Sequence, residues 1–96
     1  MRRMIANSGE TAKATSSNTA VEVLAATATA VTQIVIANEG GVAGFFSIDA
    51  GTTWGRLPAS HVTVLTVDLA QLPAVQIKRV EDGSNVTGVY AYAIGG

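Results

Sequence analysis

Ser47-Ile48-Asp49-Ala50-Gly51-Thr52-Thr53-Trp54 lies at the middle of the chain and carries its only tryptophan. Ahead of the turn, Phe45, Phe46 and Ile48 form a short apolar run of residues that favour extended backbone. Asp49-Ala50-Gly51 then supplies turn chemistry. An aspartate side chain accepts hydrogen bonds from backbone N–H groups a few residues on, and glycine takes the positive φ that a tight turn often needs. Thr53 and Trp54 restart an extended segment, and an indole can bury roughly 200 Å² against a sheet. Leu57-Pro58-Ala59 ends the run, because proline donates nothing to a strand ladder. The segment predicts a β-hairpin corner with strands packed on either side.

Outward from that corner the pattern stays extended. Towards the N-terminus, Val31–Ala37 alternates, with Ile34 and Ile36 on one face and Gln33 and Val35 on the other. Asn38-Glu39-Gly40-Gly41 is a turn. Val21–Leu24 is a strand, and Ala25–Ala30 has neither helix caps nor a 3.6-residue stripe, so it reads as extended or loop. Residues 1–19 are poor in large apolar groups and read as a flexible N-terminal arm, with a short edge strand at Thr11–Thr15.

Towards the C-terminus, Val62–Leu69 places Leu65, Val67 and Leu69 opposite Val62 and Val64. Val75–Val80 turns Val75 and Ile77 in, and Gln76 and Lys78 out. Asp82-Gly83 is a strong short-range hairpin signal. Val86–Ile94 sets Tyr90, Tyr92 and Ile94 against Val89, Ala91 and Ala93. Short strands about ten residues apart, with no helix, predict an all-β chain: one antiparallel β-sandwich (jelly-roll or Ig-like) or a small barrel of six to eight strands, spanning residues 20–96.

Composition narrows the function. Apolar residues make up 48 % and charged residues only 14 %, well below the usual quarter. A small domain with so few charges has neutral surface to spare for contacts. A net charge of −1 offers no basic patch for nucleic acid. There is no cysteine, hence no disulfide and no thiolate chemistry. Met1-Arg2-Arg3-Met4 is followed by polar Asn7-Ser8-Gly9-Glu10, which is no signal peptide. The apolar region from Ala20 to Ala37 is interrupted by Glu22 and Gln33, so no membrane span is expected.

Chemistry-bearing residues are sparse. His61 stands without a cysteine or an acid pair, so no metal site or cofactor is expected. Nucleophilic catalysis needs a base beside the nucleophile, and only His61 could serve. Asp49, Asp68, Glu81 and Asp82 are scattered along the chain. Gly40-Gly41-x-x-Gly44 lacks the helix and the Lys-Ser/Thr pair of a phosphate loop. Lys78 reads as solvated and Arg79 as paired. Tyr90 and Tyr92 share a face of the last strand. Because the opposite face of that strand is also apolar, they are candidate interface residues for a second copy of the chain.

The spacing Ser47-x-Asp49-x-Gly51-x-Thr53-Trp54 resembles the Asp-box, the hairpin motif of sialidase-like β-propellers. The resemblance implies structural roles for Ser47, Asp49, Gly51 and Thr53, with Trp54 plugging a core. Propellers repeat the box in every blade, whereas here it occurs once in 96 residues. It therefore argues for a hairpin and against a sialidase.

The layout as a whole is similar to small structural proteins of tailed bacteriophages, such as head-decoration or fibre-associated β-sandwich proteins. The residues that carry this are Ala37-Asn38-Glu39-Gly40-Gly41, Phe46 to Trp54, Leu57-Pro58-Ala59, Ile77-Lys78-Arg79 and Asn85 to Tyr92. It implies a non-catalytic virion protein, made in the host cytoplasm, that forms a homo-oligomer and binds a capsid or tail surface. Two other classes stay open. A carbohydrate-binding module would line a shallow groove with Trp54 or with Tyr90 and Tyr92. A glycan-acting enzyme would hold two carboxylates about 5–10 Å apart in a cleft.

Overall fold

The computed structural model describes residues 2–96. Eight strands run in the order β1 (Arg3–Asn7), β2 (Val21–Leu24), β3 (Val31–Asn38), β4 (Gly44–Ser47), β5 (Gly55–Leu57), β6 (His61–Leu69), β7 (Val75–Arg79) and β8 (Val89–Gly95), with no helix among the described residues. They form two four-stranded antiparallel sheets, ordered β1-β8-β3-β6 and β2-β7-β4-β5.

Of all consecutive strands, only β4 and β5 are neighbours in a sheet. Every other connection crosses from one sheet to the other. The pairs β1·β8, β2·β7, β3·β6 and β4·β5 are those of one long antiparallel ribbon, folded back at Ser47–Trp54 and wrapped into two layers. This is the jelly-roll order of an eight-stranded double sheet, and it sets aside the Ig-like and barrel alternatives.

The core lies between the layers and follows the period-2 pattern. One sheet contributes Ile34, Ile36, Val89, Ala91 and Ala93, and the other contributes Val23, Leu24, Leu57, Val75 and Ile77. Leu65, Val67 and Leu69 pack against this cluster from β6. Inward side chains of β8 shrink from Val89 through the two alanines to Gly95. A Cβ on Gly95 would fall 2.0 Å from the Ala30 carbonyl oxygen, so the close approach of that loop requires glycine. The accessible surface is 5267 Å², close to the ~5,200 Å² of a folded monomer of this mass. The core is therefore closed within one chain.

Two expectations change. Residues 3–15, read as part of a flexible arm, lie along β8 instead. Strand β1 pairs with Tyr92–Gly95, Lys13 bridges Val89, and Thr15 is buried with its hydroxyl accepting from Val86 N at 2.9 Å. The edge strand expected at Thr11–Thr15 is reduced to that bridge. β1 is only five residues long, has Met4, Ile5 and Ala6 in succession and is bulged between Met4 and Ala6, so it shows no period-2 alternation by which to be read.

Asp82-Gly83 does not make a hairpin, because β7 and β8 belong to different sheets. Gly83 N donates to Val80 O at 2.8 Å and Asp82 has φ 56°. The dipeptide thus occupies the last two positions of a turn rather than its centre, and the chain continues across to the other layer.

Ile77 is fully buried, whereas Val80 is exposed beyond the end of β7. Ile77→Ala is expected to lower the unfolding free energy by about 2–5 kcal/mol. Val80→Ala should change it by about 0.5 kcal/mol or less. Urea denaturation of the two variants checks the inside-outside assignment of this strand.

Candidate functional site

The Ser47–Trp54 corner is built by side-chain hydrogen bonds. Ser47 is buried, and its hydroxyl donates to Asp49 Oδ1 at 2.6 Å while accepting from Asp49 N and Gly51 N at 3.3 and 2.8 Å. Thr53 N donates to Asp49 Oδ1 at 2.9 Å, and the Thr53 hydroxyl donates to Oδ2. Thr52 N closes the turn on Asp49 O at 3.4 Å. Ala50 and Gly51 both have positive φ, 59° and 89°, as the two central residues of a primed hairpin turn must.

The donors from Ser47 and then Thr53 hold the Asp49 carboxyl at about 2, below its ordinary 3.8. Such a carboxylate has its lone pairs occupied and is a poor proton acceptor. The chemistry of the corner is that of a clamp.

Trp54 departs from its sequence reading. It is half-buried and stands outside the inter-sheet core. The Lys78 ammonium lies 4.3 Å from its ring centroid and 5.7 Å from that of Phe45. Phe45 pairs with both Lys78 and Arg56 across the ladder, so these groups share the outer face of the β2-β7-β4-β5 sheet. The corner places the indole just before β5, where the strand's inward position is taken by Leu57 instead. A single cation shared by the two rings replaces core packing there.

The face of Tyr90 and Tyr92 is different in kind. They point away from the core with Ile94, since Val89, Ala91 and Ala93 point into it. Tyr92 is in register with Val35 and Asn7, and Val35 in turn with Val64; Tyr90 is in register with Ala37, and Ala37 with Val62. Met4 is opposite Ile94. The outer face of the β1-β8-β3-β6 sheet therefore carries an apolar patch that touches all four strands, bordered by Asn7, Gln33 and Thr66. Met4, Val62 and Val64 are 55 %, 61 % and 54 % exposed. Exposed apolar groups gathered on one sheet face mark contact surface more often than chance exposure does.

Other groupings were less visible in the sequence. Asn38, buried at the end of β3, donates to Val42 O and Pro58 O and accepts from Gly40 N, tying two loops together. Arg79 finds its partners in two amides: it donates to Asn18 Oδ1 at 3.0 Å and Asn85 Oδ1 at 2.7 Å. Only an asparagine on the far side of the chain completes that pairing, and spacing does not announce it.

Three of the shallow clefts on the surface of the described residues bear on whether an acid pair is present. One is lined by Asn18, Phe45, Lys78, Arg79 and Glu81, one by Arg2, Gln33, Asp68, Ile94 and neighbours, and one by Asn38, Glu39, Ser60 and His61 with neighbours. Each contains a single carboxylate, so none provides the acid pair of a glycosidase. His61 faces the Ala59 carbonyl through Nδ1 at 3.0 Å. Among the described residues no group of three or more His, Cys, Asp or Glu could hold a metal ion, and no helix is long and apolar enough to cross a membrane.

Comparison with known proteins returned no match: no family model, no curated protein and no solved structure is significantly similar to this chain.

The corner generates two expectations. Asp49 has a lowered pKa when folded, so its contribution to stability is complete above about pH 4 and is lost as the pH falls through about 2. Asp49→Asn should flatten the fall in urea midpoint between those values, read by fluorescence of the adjacent Trp54. At the turn, Gly51→Ala should destabilise by about 1–2 kcal/mol, while Ala50→Gly should be neutral or stabilise by up to about 1 kcal/mol. Opposite signs at two neighbouring residues are the test of the left-handed pair.

Proposed function

We propose that this chain is a non-enzymatic structural protein of a virion that binds a capsid or tail surface and self-associates. The observation that carries the reading is the apolar patch on the outer face of the β1-β8-β3-β6 sheet, with Met4, Val62 and Val64 each more than half exposed. Tyr90, Tyr92 and Ile94 of β8 lie between those flanking strands. The core is already closed within one chain, so this face is surplus to folding and is available to be covered.

Three further points support it. Eight-stranded jelly rolls are common among capsid and lectin domains. The low charge leaves little repulsion between copies. The rigid corner, with its carboxylate held ionised by hydrogen bonds, is suited to holding shape. Fold by itself does not assign function, so the argument rests on the face.

A second reading, a carbohydrate-binding module, is favoured by one observation. Trp54 is half-buried on the opposite sheet beside Phe45 and Lys78, and an accessible aromatic ring can stack on a sugar.

Light scattering on the size-fractionated protein separates the readings. For the structural protein, the wild-type chain runs as an oligomer, and Tyr92→Lys with Met4→Lys weakens its binding to purified virus shells or tails without loss of cooperative unfolding. A strictly monomeric chain that does not bind purified virus shells or tails overturns the proposal. Gene neighbours encoding capsid, portal or tail proteins would support it independently. For the second reading, soluble oligosaccharides should shift Trp54 emission; an unchanged spectrum across a glycan panel removes it.

A further inference from the structure

The four sheet edges of this molecule are not alike. An outer strand leaves every second backbone N–H and C=O facing outward, and proteins protect such rows with short strands, bulges, charge or proline. β5 is three residues long and carries Arg56. β2 is four residues long, carries Glu22 and slips register between Glu22 and Leu24. β1 starts at Arg3, directly after Arg2, and slips between Met4 and Ala6.

β6 is the exception. It spans nine residues, His61–Leu69, with β3 as its only neighbour. Its register against β3 is regular from His61 to Thr66; the slip and the strand's one carboxylate, Asp68, are confined to the last three residues. Within Val62-Thr63-Val64-Leu65-Thr66-Val67 there is no charge, proline or glycine. All but Leu65 of these residues are β-branched, which is the composition that pairs best as strand. Val62 and Val64, on its outward face, are among the most exposed large apolar side chains of the protein.

We infer that two copies of the chain join edge to edge, β6 pairing antiparallel with β6 of the second copy, so that two four-stranded sheets become one continuous eight-stranded sheet. This deepens the self-association proposed above and rests on it. A second copy is the occupant for three reasons. An antiparallel pair about a two-fold axis is complementary to itself, since each donor row meets the identical acceptor row reversed. The uncharged run places no like charges opposite each other. Val62 and Val64 meet their counterparts across the seam, where cross-strand apolar pairs stabilise. The joint also extends the apolar face of Met4, Tyr92 and Ile94 across both copies and leaves it open for a larger surface.

The test uses the absence of cysteine in the chain. Single variants Val62→Cys, Val64→Cys and Thr66→Cys sit on the outward side of β6. Met4→Cys marks the opposite edge, and Tyr92→Cys the middle of the face. Under mild oxidation, at least one β6 variant should form covalent dimers about tenfold more readily than Met4→Cys or Tyr92→Cys, because opposite residues in such a pair come close enough to bridge. Amides of residues 61–69 should exchange with deuterium more slowly at high protein concentration than at low. Thr66→Lys, at an exposed position that folding does not use, should weaken self-association by about tenfold.

If the wild-type chain is oligomeric but cross-linking favours Tyr92→Cys and β6 amides exchange equally at both concentrations, edge pairing is overturned while self-association stands. A chain that is monomeric at all concentrations overturns both.

Discussion

Asp49 and Ser47 hold the one reversal on which the architecture depends. Two side chains satisfy the backbone of the corner, and the chain turns back on itself halfway along its length. Because no other consecutive strands pair, every remaining ladder joins segments far apart in sequence. Bringing distant segments together costs loop-closure entropy, and that cost grows with the loop to be closed. Pairing outward from the corner keeps each loop short: β4 with β5, then β3 with β6, then β2 with β7, then β1 with β8. A firm clamp at the fold of the ribbon therefore does more than shape a surface turn.

The clamp also explains where the tryptophan goes. A corner with Ala50 and Gly51 in the left-handed region delivers the chain to β5 with Leu57 facing the core. Trp54 is left on the outer side, where Lys78 covers one ring face. The same residue types that plug a core in a repeating propeller here dress the outside of a single sheet. The difference is made by what stacks on the hairpin, since no second blade is present to cover it.

The two sheets have unequal exteriors. One outer face carries Lys78, Arg56 and Gln76 among its aromatic groups. The other carries an apolar patch running from Met4 to Val64 and ends in β6, the longest edge strand, uncharged from Val62 to Val67. With the core closed inside one chain, that asymmetry has no role in folding the monomer. Burying such a surface is favourable at roughly 25 cal/mol per Å² before association costs. This is the physical basis for reading the protein as a component of something larger.

Much of this was legible in residues alone. Alternation separated the two faces of β3, β6 and β8 and assigned the inward side of β7, because a half-buried strand must repeat every two residues. The spacing of Ser47, Asp49, Gly51 and Thr53 specified the corner, because those hydrogen bonds are local. The apolar stripe of Tyr90, Tyr92 and Ile94 could be read as surplus, because the opposite stripe was already enough to fill a core.

What tertiary structure decided is everything that depends on which strand lies beside which. The docking of residues 3–15 along β8, the partners of Arg79, the outward seat of Trp54 and the bare edge at β6 all follow from the wrapping of the ribbon. Pairing is made by backbone groups that every residue shares, so side-chain patterns state which face of a strand is buried but not which neighbour it will have.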